Sequence, residues 1–74
     1  MKLIANLGEL QTESMELLDE LGETTTGEME KEGGKTRKQY RDALNRVHKR
    51  GLVENRPNPR YPNETLWRLS EDSE

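Results

Sequence analysis

The chain has 74 residues, 28% hydrophobic and 36% charged, with no cysteine, no phenylalanine and one histidine, His48. This is the size of one small domain whose core only just suffices; disulfides and thiolate metal sites are excluded, and His48 has no histidine partner with which to hold a metal. No apolar run is long enough to span a bilayer, and the N-terminus lacks the about 7–15-residue apolar stretch of a signal peptide, so a cytoplasmic protein with no membrane partner is expected.

The net charge of −3 is unevenly spread. Residues 1–34 hold two cations against nine acids, a net of −7, whereas residues 35–68 hold ten cations against three acids, a net of +7. A local field acts within a Debye length of about 8–10 Å, so the basic half can attract an anionic partner whatever the overall sign.

Taken in order, residues 1–11 place Leu3, Ile4, Leu7 and Leu10 at helical spacing, interrupted by Gly8. Two readings stand: an arm that covers a lean core, or a dimerisation element. The spacing predicts a helix over 12–22, with Thr12 as its cap, acids in the first turn and Gly22 as its stop. Met15, Leu17, Leu18 and Leu21 form its expected buried stripe, and Glu16, Asp19, Glu20 and Glu23 face out. The acids of residues 13–32 read most simply as a solvated face, and their number would also suit a high-salt cytoplasm.

Thr24-Thr25-Thr26 is a β-branched triplet with room for a strand residue or two. Thr25 and Glu28 have capping-box spacing, Met29 points inward, and Gly33-Gly34 end the short helix TGEMEKE. The next helix, Thr36 to Gly51, has the strongest signals. Thr36 with Gln39 forms a second capping box, and Tyr40, Ala43, Leu44 and Val47 fall within an arc of about 100°. Gly51 and Leu52 fit a Schellman ending opposite Val47. Lys38, Arg41, Asn45 and Lys49 lie on the other side, with Arg37 in the first turn. Two helices joined by a tight glycine turn, the second of them basic, make a helix-turn-helix pattern.

Beyond Gly51 the period changes to two. Residues 52–56 read as a strand, the loop PNPRYPN with its three prolines excludes a helix, and residues 64–69 read as the returning strand. Trp67 and Leu69 share one face and are expected to close over the helices with Val53. Tyr40 and Trp67 are read as packing residues rather than base-stacking ones, and His48 as structural or exposed. The tail at 72–74 is polar.

This order resembles the winged helix-turn-helix, an α+β fold of three helices and a two-stranded hairpin wing. The likeness rests on L17-L18-D19-E20-L21, T26-G27-E28-M29, and above all A43-L44-N45-R46-V47-H48-K49-R50-G51-L52-V53-E54. That last run is similar to the recognition helix and wing entry of MarR- and PadR-type transcriptional regulators. R56-P57-N58-P59-R60, returning through L66-W67-R68-L69-S70-E71, resembles their wing. The likeness covers residues 12–71, taken as the domain.

The resemblance implies sequence-specific binding of double-stranded DNA, with residues 36–50 in a major groove and the wing, 54–66, at the adjacent minor groove. Arg37, Lys38 and Arg41 would read base edges, and Asn45 a base or a phosphate. Lys35, Thr36, Lys49 and Arg50 would hold phosphates. Arg56 and Arg60 would flank the groove, Arg60 entering the minor groove, and Tyr61 would pack on a sugar. A homodimer on a palindromic site, built through the N-terminal segment, is the corresponding assembly.

Two plainer readings stand beside it. The basic helix face is either a solvated surface or part of a winged helix used for protein contact, whose acidic half docks a basic partner. Catalysis is not expected: His48 is isolated, Gly33-Gly34 lacks P-loop spacing, and Asp19-Glu20 lie on an exposed helix with no pocket to shift them. No cofactor and no small-molecule ligand is evident.

Overall fold

The computed structural model describes residues 8–70. The expectations for Leu3, Ile4 and Leu7 in the arm, and for the tail at 72–74, lie outside them. The elements are α1 (Glu9–Leu21), α2 (Thr26–Gly33), α3 (Arg37–Lys49), β1 (Val53–Pro57) and β2 (Thr65–Leu69). The three helices and the hairpin appear in the expected order. No described helix is long and apolar enough to cross a membrane.

α1 starts earlier than its cap chemistry implied. Gly8 is the N-cap and makes no side-chain cap bond. Thr12 lies inside the helix, where its N–H and its hydroxyl both donate to the Gly8 carbonyl, at 3.0 and 3.1 Å. The reason is apolar burial: Leu10, two residues ahead, packs against the core and draws the helix back past the threonine.

The buried arc of α1 is also turned from its expected position. Met15 and Leu18 are buried as anticipated, but Ser14 is fully buried beside them, Leu17 is half-buried, and Leu21 is 37% exposed. At about 100° per residue, Ser14 and Met15 flank Leu18, while Leu17 and Leu21 lie further out on the Ser14 side. The Ser14 hydroxyl donates to the Leu10 carbonyl at 2.7 Å, so no polar atom is stranded.

α2 and α3 follow their local chemistry closely. The Thr25 hydroxyl accepts from the Glu28 N–H at 3.2 Å, and Gly34 ends α2 with φ 83°, a conformation that costs glycine nothing. Thr36 and Gln39 form the reciprocal capping box. At the far end, the Leu52 N–H donates to the Val47 carbonyl and the Gly51 N–H to that of His48, at 3.1 and 3.0 Å, the paired bonds of a Schellman motif.

α3 is the central element and packs against α1, α2 and β1. Tyr40, Ala43, Leu44 and Val47 are all buried, joining Met15, Leu18, Met29, Val53 and Trp67 in one core. The hairpin is antiparallel, with Val53 opposite Leu69 and Asn55 opposite Trp67. Thr24 adds a third rung, exchanging backbone hydrogen bonds with Trp67 at 2.9 and 2.7 Å. The threonine triplet thus supplies one strand-like residue that ties the α1–α2 linker to β2. Trp67 is buried, and His48 meets its ring edge-on at 6.0 Å.

Of the described glycines, Gly33 has the closest neighbours. A Cβ built there would fall on the Tyr40 hydroxyl and within 2.6 Å of Leu17 Cδ1. Gly33→Ala is therefore expected to destabilise the fold by about 1–3 kcal/mol, the usual cost of overpacking. Gly27→Ala is the control, because its Cβ would meet nothing closer than 3.5 Å and a helical glycine loses up to about 1 kcal/mol against alanine. Urea denaturation of both variants checks this; equal midpoints would mean that the Gly33–Tyr40 contact has slack.

Candidate nucleic-acid interface

The buried stripe of α3 fixes which side chains face outward. With Tyr40, Leu44 and Val47 directed into the core, Lys38, Arg41, Asn45 and Lys49 are exposed on the opposite side. Among the described residues, no carboxylate lies within ion-pair distance of Lys38, Arg41, Lys49, Arg50 or Arg60. Arg50, the C-cap, extends the basic set to the helix end, where cations are favourable.

A cleft of about 210 Å³ adjoins this face. It is lined by Thr25, Thr26 and Gly27 at the start of α2, by Arg37 and Arg41 of α3, and by Asn63 to Thr65 with Trp67 of the hairpin. Helix start, basic helix and wing thus meet around one opening. The contributions of Thr26, Gly27, Asn63 and Thr65 escaped the sequence reading. The cleft joins three separate stretches of chain, and only the Thr25 cap left a local signal.

The other expected contact residues are engaged within the protein. The Lys35 ammonium pairs with Glu13 at 3.3 Å, and its backbone N–H donates to the Tyr40 hydroxyl at 3.4 Å. The Thr36 hydroxyl accepts from the Gln39 N–H and donates to Gln39 Oε1, both at 3.2 Å. Its hydrogen-bonding capacity is largely used in the cap, leaving little for a phosphate. Arg37 donates its backbone N–H to Glu30 Oε2 at 3.0 Å, with its guanidinium 3.9 Å from Glu30 Oε1.

Arg56 is held more firmly still. Its Nε and Nη2 both donate to the Glu23 carboxylate at 2.8 Å, a two-pronged fork. On the same outward face of the hairpin, Arg68 donates twice to Glu54 Oε1, at 3.0 and 2.8 Å. Arg56 is thus tied to the α1–α2 linker and braces the base of the wing. Nearer the tip, the Arg60 N–H donates to Asn58 Oδ1 at 2.9 Å, shaping the turn that carries its side chain, and Tyr61 is 58% exposed.

Known folds place this geometry. No protein-family model matches the chain, and no curated protein sequence does. Solved structures do. A probable transcriptional regulator from Pseudomonas aeruginosa superposes with a TM-score of 0.81 at 21% identity, over 89% of this chain and 50% of its own. A MarR family transcription regulator gives 0.82 at 21%, over 89% and 44%. Bordetella bronchiseptica BpsR, whose DNA binding is regulated by 6-hydroxynicotinic acid, gives 0.82 at 19%, over 92% and 49%. The chain has the winged-helix fold. It spans about half the length of these regulators, and at such identities the likeness is one of fold.

The Glu23–Arg56 fork has a measurable signature. The hydrogen bonds from Arg56 hold the Glu23 carboxyl below its usual 4.5; partial desolvation opposes this, and the charges of Arg56 and Arg68 add to it. With the folded value below the unfolded one, the pair's contribution is complete above the unfolded value and is lost as pH falls through the folded one. Glu23→Gln is expected to flatten the acid limb of Tm against pH below 4.5 and to leave the profile near neutrality parallel to that of the parent. Thermal unfolding over about pH 2.5–7 checks this, and an unchanged acid limb would show the fork to be energetically silent.

Proposed function

We propose that this chain binds double-stranded DNA as the winged-helix domain of a transcriptional regulator. One observation carries the reading: α3 turns an unpaired Lys38–Arg41–Asn45–Lys49 face outward, beside a cleft where the start of α2 and the hairpin converge. A face that were merely solvated would have no reason to coincide with that meeting point. The resemblance of the fold to several transcriptional regulators supports the same conclusion.

In this reading α3 enters a major groove with its N-terminal half toward the bases. Lys38 and Arg41 read base edges, Arg41 having the planar fork that matches guanine O6 and N7, and Asn45 reaches a base or a phosphate. Lys49 and Arg50 contact phosphates and set the register. Arg60 and Tyr61 approach the neighbouring minor groove from the tip. Lys35, Thr36 and Arg56 act from behind, positioning α3 and the wing. A homodimer would place two such helices one duplex turn apart, about 34–36 Å, on a palindromic site.

A second reading draws on a different cleft, lined by Glu13, Glu16, Glu20, Leu17, Gly33 and Tyr40, whose acids would suit a basic protein partner. A nuclease-resistant protein complex recovered without DNA would favour it.

The test is a gel-shift selection from random duplexes, followed by anisotropy titrations at several salt concentrations. Log K should fall with log salt at about −0.9 for each phosphate contacted. Arg41→Ala should weaken the selected site by about 1–3 kcal/mol and relax one position of its preference, whereas Lys49→Ala should weaken all duplexes alike. If Arg41→Ala and Lys49→Ala both bind like the parent, α3 is not the reading element.

A further inference from the structure

We propose that Glu30 is an affinity-setting residue of this interface, holding Arg37 back from DNA. The inference rests on the DNA-binding reading and adds to it a residue from the acidic half of the chain. Three expected contact cations are paired internally, each with an acid that precedes residue 35: Lys35 with Glu13, Arg56 with Glu23, and Arg37 with Glu30. The three pairs are not equivalent. Arg56 and Glu23 form a close fork at 2.8 Å with the acid only 28% exposed, whereas Arg37 and Glu30 stand 3.9 Å apart with side chains 64% and 43% exposed. A loose, exposed pair contributes little and is readily exchanged. A tight fork is not.

The position of Arg37 makes that exchange matter. It is the first residue of α3, and its Nη2 lies 3.5 Å from where a Gly27 Cβ would stand, at the wall of the cleft it shares with Arg41. The guanidinium therefore sits between the Glu30 carboxylate and the cleft, which Glu64 also lines. While Glu30 is ionised it offsets the Arg37 charge, leaving Lys38 as an unpaired cation of the leading turn, and a phosphate gains Arg37 only by displacing a carboxylate that also repels it. Thr36 offers little in its place, because its N–H and hydroxyl, like the Gln39 N–H, are spent within the capping box. Glu30 thus lowers the affinity for any duplex. The binding energy shifts toward the unpaired Lys38–Arg41–Asn45 side chains, which touch bases.

The test compares the parent with Glu30→Gln, Glu32→Gln, Arg37→Ala and the Glu30→Gln/Arg37→Ala double variant. Each is titrated against a labelled selected duplex and a random one over about 50–200 mM salt. Glutamine keeps an oxygen that accepts the Arg37 N–H, so the helix start is preserved; Tm reports this independently. Glu30→Gln should bind both duplexes about two- to fivefold more tightly and steepen the salt slope by about 0.9, one added phosphate contact. Glu32→Gln, removing an equal charge from the same helix, should leave the slope unchanged, and the double variant should lose the gain. Weaker binding by Glu30→Gln would make Glu30 a structural cap and overturn the proposal, as would an unchanged slope or an equal effect from Glu32→Gln. A parent protein with no salt-dependent duplex binding would instead defeat the DNA reading itself, and this inference with it.

Discussion

The approach of Tyr40 to Gly33 is the contact on which the remaining geometry depends. Tyr40 is the first buried residue of α3, and its ring fills the space that a side chain at Gly33 would need. Its hydroxyl then accepts the Lys35 N–H from the turn between the two helices. One aromatic side chain therefore fixes both the closeness of α2 to α3 and the path of the chain between them. With Tyr40 anchored, the 3.6-residue period leaves Ala43, Leu44 and Val47 facing inward, and Lys38, Arg41, Asn45 and Lys49 no direction but outward. The outward basic face is thus a consequence of packing at its back.

The charge separation along the chain has a second meaning once folded. In sequence, the acids precede residue 35 and most cations follow it, as if two fields stood apart. In space they meet at three places, where Glu13, Glu23 and Glu30 each reach a cation of the later half. The pairing removes charge selectively. It neutralises the flanks of α3 and the base of the wing while leaving the centre of the exposed face of α3 unpaired among the described residues. A uniformly basic surface holds any duplex by its phosphates. In the proposed reading, unpaired cations concentrated on the exposed centre of α3 would favour discrimination over mere attachment.

What the sequence made legible was local. Thr36 with Gln39 and Gly51 with Leu52 are separated by three residues or fewer and form the motif their spacing implied, while Thr25 with Glu28 forms the hydroxyl half of a capping box. The amphipathic period of α3 was equally plain, since four apolar residues in one arc admit a single orientation. The start of α1 was not, because Thr12 is a good cap in isolation and only the burial of Leu10 overrides it. Ser14 was passed over for the same reason: a buried serine becomes intelligible once a helix is seen packed against it. The Glu23–Arg56 fork joins residues far apart in the chain, and no periodicity announces such a pair. Charge, helix face and family likeness together gave the candidate contact set, and none of them separates Lys35 and Arg56, bound within the fold, from Lys38 and Arg41, which are not.

The hairpin carries two duties, and its alternation keeps them separate. Val53 and Trp67 point inward and seal the core, while Glu54, Arg56 and Arg68 point outward into a charge network that reaches Glu23 of the α1–α2 linker. Thr24 extends the same sheet by one rung through its two bonds to Trp67. The base of the wing is therefore joined to α1 and α2 by backbone and by side chain, and it has little freedom to swing. Any adaptation of the wing to a duplex must fall to the segment beyond Pro57, where Arg60 and Tyr61 are exposed and the prolines restrict the backbone. In the proposed reading, a base held this firmly would fix the separation at which α3 and the wing engage two grooves of one duplex. In that DNA-binding reading, the spacing of the grooves would be selected along with the bases within them.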